Sequence, residues 1–163
     1  MSNKYFISGG SLDDGSKKNL FISDGKISGF ENPANSGAQV IDATGKIILP
    51  GLVDLHTHLR EPGKEDSETV LSASRAGAKG GFTALSAMPN TSPVADTAGV
   101  VEQVLRLGVE AGLCDVFPIG AVTKNLQGSE LSEIGAMADS AAAVRIFSDD
   151  GHCVSNPAVM RRA

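Results

Sequence analysis

Two histidines separated by a single residue, His56 and His58, are the side chains in this sequence best suited to chemistry. On an extended strand, positions i and i+2 leave the same face. Two neutral imidazoles at that spacing can therefore reach one divalent metal, for which imidazole is a common protein ligand. The plain alternative is a polar strand end with two solvated rings. Arg60 follows two residues on and carries a planar fork of donors matched to a carboxylate; its ordinary fate would be a surface salt bridge with Glu61 or Glu65. Asp149-Asp150-Gly151 brings two hard carboxylates, suitable as metal ligands or as a solvated turn, and spacing leaves Asp149 and Asp150 both open as the ligand. Asn90, after Pro89, is a further polar candidate that could also just start a turn. His152 and Cys153 lie in a Gly-containing loop and read as solvated, and Cys114 reads as a small buried hydrophobe.

The elements that must position these groups change character at Pro50. Before it the pattern is β: Tyr5–Ile7, Asn19–Ser23, Lys26–Phe30, Gln39–Asp42 and Lys46–Leu49 are short apolar runs. Asp24-Gly25 between two of them is a hairpin signal, because both turn positions tolerate positive φ. After Pro50-Gly51 the rhythm becomes strand, loop, helix. Strands are expected at Leu52–His56, Phe82–Ala87, Asp115–Ile119 and Ala142–Phe147. Helices are expected over Asp66–Ala78 with Gly80-Gly81 as the stop, from an Asp96 cap to about Ala111 with Gly112 as the stop, and from a Ser129 cap through Leu131, Ile134, Met137 and Ala138. Alternating strands and helices argue a parallel α/β architecture. The expected domains are residues 1–50, a small β module, and residues 51–163, about four βα units. An eight-stranded βα barrel takes roughly 250 residues, so 51–163 correspond to the first half of one. His56 and His58 then sit where a strand leaves the barrel, the face that carries active sites in that fold.

Composition bounds the rest. The 163 residues carry 14 basic and 19 acidic side chains, net charge −5, so bulk electrostatic binding of nucleic acid is not expected. At 41% apolar residues the chain is not globally disordered, and no uncharged apolar run approaches a membrane span. Two distant cysteines exclude a disulfide scaffold and, with no secretory h-region at the start, point to a cytoplasmic setting.

The stretch Pro50-Gly51-Leu52-Val53-Asp54-Leu55-His56-Thr57-His58-Leu59-Arg60-Glu61-Pro62-Gly63 resembles the signature of the cyclic amidohydrolases, specifically the bacterial class I dihydroorotase family. Gly80-Gly81-Phe82-Thr83, Met88-Pro89-Asn90-Thr91 and Phe147-Ser148-Asp149-Asp150-Gly151 match it in the expected order. The resemblance implies a metal-dependent (β/α)₈ barrel preceded by a small β-sandwich module. It implies Zn²⁺, one or two ions per site, on His56, His58 and Asp150, and a substrate carboxylate held around His58, Leu59, Arg60 and Asn90. The implied activity interconverts N-carbamoyl-L-aspartate and L-dihydroorotate in pyrimidine biosynthesis, with no nucleic-acid or membrane partner. Some relatives bridge two metals through a carboxylated lysine; no lysine follows Lys124, and Arg145, near the expected place, stays protonated, so an aspartate-based site is expected. The family's acid–base aspartate and two further histidines come from later strands, so no catalytic acid–base residue is expected in this segment, which alone should be inactive. One rival is a silent dihydroorotase-like fragment or subunit that binds aspartate transcarbamoylase, with homo-oligomers also open. Another is a hydantoinase or allantoinase, against which the missing lysine argues, and Arg60 too, because allantoin and simple hydantoins lack the carboxylate.

Overall fold

A computed structural model describes residues 3–163. The chain divides into two compact units, Met1–Pro50 and Gly51–Ala163.

The first unit is a four-stranded mixed sheet. Strands β1 (Lys4–Ser11), β2 (Lys17–Ser23), β3 (Lys26–Gly29) and β4 (Gln39–Asp42) lie in the order β3-β2-β1-β4. β1 pairs antiparallel with β2, β2 antiparallel with β3, and β1 parallel with β4. The β2–β3 hairpin turns on Asp24 and Gly25, at φ 52° and 74°, the left-handed pair whose twist suits a two-residue hairpin loop. The expected strand at Lys46–Leu49 reduces to one bridge, Ile47 to Ser11. β1 ends there: the Leu12 N–H turns to Ser16 O and leaves the segment nothing further to pair with.

The second unit alternates strand and helix. β5 (Leu52–Thr57), α1 (Val70–Gly80), β6 (Phe82–Ala87), α2 (Ala98–Ala111) and β7 (Asp115–Pro118) are followed by a short 3₁₀ turn at Lys124–Leu126, α3 (Ile134–Asp139) and α4 (Pro157–Arg162). The three strands form a parallel sheet in sequence order. Helix stops fall where the glycines predict: Gly81 and Gly112 are left-handed C-caps at φ 86° and 61°.

Helix starts differ from expectation because other donors and acceptors win locally. α1 begins at Val70, not Asp66, with Thr69 and Ser72 forming a reciprocal capping box. The Glu61 carboxylate accepts the Val70 N–H at 2.8 Å, so an acid nine residues upstream serves the helix start. α2 begins after Thr97, while the Asp96 carboxylate accepts the Asn125 N–H at 2.9 Å instead of capping. α3 begins at Ile134 rather than near Ser129, because Leu131 is held in a bridge to Thr123. α4 lies outside the expected elements, although Asn156-Pro157 carries its signal: Asn156 accepts the Ala158 N–H and Pro157 takes the first turn.

The expected fourth strand, Ala142–Phe147, is not formed as a strand. Only Phe147 bridges in parallel to Gly120. The segment's donors are spent locally: the Ala143 N–H goes to Ser140 O and the Val144 N–H to Met137 O, with Ala143 at φ 45°. A chain that turns back on the end of α3 cannot present a ladder.

One core cluster, Leu59, Val70, Leu85, Ala87, Val104, Cys114 and Val116, lies between the sheet and α1 and α2. A second, Ala95, Val101, Met137 and Val144, seats α3. Gly108 lets α2 approach β7: a Cβ there would stand 2.5 Å from Val116 Cβ. Among the described residues no helix is long and apolar enough to cross a membrane.

Candidate metal centre

The carboxyl ends of β5 and β6 and the loop after Phe147 bring the chemically active residues together. β5 carries a bulge: Asp54 pairs with Leu85 and Thr57 with Ala87, so Leu55 and His56 together oppose Ser86. Strict alternation therefore breaks one residue before the motif, and Leu55 and His56 are both exposed. Below the motif the strand end is fixed by the Thr57 Oγ1 bond to Ser86 O at 2.8 Å and the Met88 N–H bond to Thr57 O at 2.8 Å. Leu59, immediately after His58, is buried in the core. Its side chain is thus an anchor, and only its backbone is available to a ligand.

His56 and His58 stand with ring centroids 5.2 Å apart. Asp150 reaches both: Oδ1 lies 3.3 Å from His56 Nε2, and Oδ2 lies 3.5 Å from His58 Nε2. One donor atom from each of these three residues falls within 4.8 Å of the others. Donor atoms on tetrahedral arms of about 2.0–2.1 Å sit about 3.3–3.4 Å apart. The two imidazole–carboxylate distances are close to that edge, and two imidazoles with one carboxylate suit a divalent cation.

The neighbouring carboxylate has a different job. Asp149 is buried, and its Oδ1 accepts the N–H groups of Val122 and Thr123 at 2.8 and 3.0 Å while its Oδ2 takes the Thr123 hydroxyl. With its acceptors so used, Asp149 ties the loop bearing Asp150 to the segment after β7. Of the two aspartates that spacing left open, Asp150 is the one beside the histidines.

Asn90, on the loop after β6, touches two of the three. Its Oδ1 is 3.0 Å from His58 Nδ1, and its Nδ2 donates to Asp150 Oδ2 at 2.9 Å. Arg60 adopts a left-handed conformation at φ 60°. The two acids that might have held it are otherwise engaged: Glu61 takes the Val70 N–H, and Glu65 takes the Gly63 N–H at 2.7 Å. That backbone bond, with one from its own N–H, holds Glu65 below the usual carboxylate range.

The loops carrying Arg60 and Asn90 are joined. The Ser92 N–H donates to Pro62 O at 2.9 Å, Lys64 Nζ to Asn90 O at 3.2 Å, and a Cβ on Gly63 would lie 1.9 Å from Ser92 O. The sequence carries Gly63 only as the last residue of the Pro50–Gly63 motif and does not itself point to Lys64 or the joint. Gly63 has a φ of 93° and is the signal that could have found it. His152 and Cys153 are exposed, and neither belongs to the metal-competent group found among the described residues.

A family model described as Dihydro-orotase-like matches residues 45–163. A dihydroorotase of Leifsonia xyli subsp. xyli is 62% identical over the whole of this chain and 38% of its own length. One from Streptomyces coelicolor is 66% identical over 81% of this chain and 31% of its own length. One from Mycobacterium tuberculosis is 51% identical over 92% of this chain and 35% of its own length. The chain thus spans about a third of the length of these curated relatives. Among solved structures, an L-hydantoinase (dihydropyrimidinase) from Arthrobacter aurescens superposes with a TM-score of 0.62 at 24% identity, over 77% of this chain and 29% of its own. A dihydropyrimidinase from Brevibacillus agri gives 0.54 at 25%, over 74% of this chain and 27% of its own. The chain has the α/β fold of an amidohydrolase segment.

Proposed function

The chain belongs to the dihydro-orotase-like family, and from that premise we propose that it contributes the opening part of a dihydroorotase active site, for the interconversion of N-carbamoyl-L-aspartate and L-dihydroorotate. The observation that carries the reading is the convergence of His56, His58 and Asp150 within 4.8 Å at one end of the parallel sheet. These three would hold a divalent cation, which we take to be zinc from the nitrogen-rich donor set. When bound, the ion supplies an activated water and a Lewis acid for the ring carbonyl.

The chain's own residues then orient the substrate. Arg60, with neither neighbouring acid paired to it, presents its guanidinium fork to the ring carboxylate. Asn90 has one amide hydrogen beyond its bond to Asp150 and offers it to the same group. The joint between the two loops keeps these donors in register, and buried Leu59 prevents the His58–Arg60 segment from sliding. The hydantoinase alternative draws on structures at 24 and 25% identity, a likeness of fold, whereas the curated dihydroorotases stand at 51–66%.

We further read the parallel sheet as part of a larger closed barrel. Val53, Leu55 and Phe117 are apolar side chains exposed on β5 and β7, and parallel sheets bury both faces. The relatives' additional length would cover them and bring the remaining ligands, the acid–base aspartate and the second layer of the N-terminal module. The test is turnover of dihydroorotate by the full-length protein and its His58→Ala variant. We expect metal-dependent activity that the substitution abolishes together with metal binding; a variant that retains both would refute the assignment.

A further inference from the structure

Asn90 is placed to do more than contact a ligand. The Asp150 carboxylate only accepts hydrogen bonds, so the Asn90 atom 2.9 Å from Oδ2 must be the amide nitrogen. That orientation leaves the amide oxygen facing His58 Nδ1 at 3.0 Å, and an amide oxygen only accepts. Nδ1 must therefore carry the hydrogen. In a neutral imidazole with Nδ1 protonated, Nε2 is a bare lone pair, and Nε2 lies 3.5 Å from Asp150 Oδ2. A single side chain thus contacts two of the three candidate ligands at once.

We propose that Asn90 is the positioning residue of the metal centre: it locks His58 in the Nδ1–H form and holds Asp150 in reach, so that the Nε2 lone pair and the carboxylate are both available to one ion. The sheet supports this from below. Asn90 follows β6, which the Thr57 and Met88 bonds join to the end of β5, and its own carbonyl is held by Lys64 Nζ at 3.2 Å. The amide therefore has a fixed base from which to orient both neighbours. Outer partners of this kind typically change metal affinity by roughly ten- to a hundred-fold. The inference rests on the proposed metal site for its consequence, but its structural half, the tautomer, stands apart from metal binding.

The experiment separates the two. Long-range nitrogen–proton NMR correlations on the metal-free full-length protein report which ring nitrogen of His58 is protonated. We expect Nδ1–H in the wild type. Asn90→Asp retains an acceptor for Nδ1–H and should keep the tautomer, while its charge repels Asp150. Asn90→Leu loses both bonds and should release the ring to a mixture of tautomers. Zn²⁺ titration with a competing chelator should show both variants weakened by roughly ten- to a hundred-fold. An Nε2–H ring in the wild type overturns the proposal whether or not any variant folds. So does wild-type Zn²⁺ affinity in a folded Asn90→Leu protein. If the wild type instead shows Nδ1–H but takes up no Zn²⁺, the metal-site reading falls and the positioning role falls with it, leaving only the tautomer assignment.

Discussion

At the scale of single residues, the two adjacent aspartates show how one carboxylate type takes two roles. Asp149 is buried and accepts three bonds from residues 122 and 123; Asp150 is partly exposed and faces two imidazoles. Asp149→Ala should therefore lower the stability of the protein by at least about 2 kcal/mol, since hydrogen bonds to a charged group and the donors left orphaned are each in that range. Asp150→Ala should leave thermal unfolding of the metal-free protein nearly unchanged and remove metal binding. Calorimetry and metal analysis on the pair decide it; equal losses of stability would merge the two roles. Arg60→Lys keeps the charge and loses the two-pronged geometry. It should reduce kcat/KM for dihydroorotate by about one to two powers of ten, the equivalent of about 1.5–3 kcal/mol, with metal content as in the wild type. Undiminished turnover would show that Arg60 does not hold the carboxylate.

At the scale of elements, the site depends on how closely helices and loops are set against the sheet. Gly108 in α2 is the clearest case. Replacing a helical glycine by alanine gains about 1 kcal/mol in helix propensity, but here the new methyl would stand 2.5 Å from Val116 Cβ. Overpacking of a core costs about 1–3 kcal/mol, so Gly108→Ala should be neutral to destabilising, and larger side chains clearly destabilising, as read by thermal or urea unfolding. A stabilised Gly108→Ala would mean that α2 can retreat from β7 without loss. The bulge in β5 is a second element-scale device. It admits an extra residue beside Ser86 and resets the alternation that leads into His56 and His58.

At the scale of the whole molecule, the three-stranded parallel sheet leaves Val53, Leu55 and Phe117 exposed, with Ile146 beside them in the segment that does not complete a fourth strand. Residues 1–163 made by themselves should consequently self-associate and show no turnover of dihydroorotate, even when loaded with zinc. Sedimentation and a turnover assay on that piece provide the check. A monodisperse, active monomer would contradict both the larger barrel and the placing of the remaining catalytic groups in the relatives' additional length.

Much of the fold, and the residues of the candidate site, were legible from the chain alone because their signals are local. The i, i+2 histidines, the Asp24-Gly25 turn, the helix stops at Gly81 and Gly112 and the alternation of strands with helices all follow from covalent geometry and from preferences spanning a few residues. What required the tertiary structure depends on partners distant in sequence. Asp149 and Asp150 are chemically identical until the 122–123 segment claims one and the histidines the other. Glu61 serves a helix nine residues away, and Asp96 leaves its own helix for Asn125. The 142–147 segment has strand-like residues, yet the end of α3 captures its donors first. Asn90 becomes a bridge between His58 and Asp150, 32 and 60 residues away in sequence, only once β5, β6 and the Phe147 loop meet at one end of the sheet. Side-chain type sets what a residue can donate or accept; which partner it meets is decided by the packing that brings distant segments within 3 Å or so of one another.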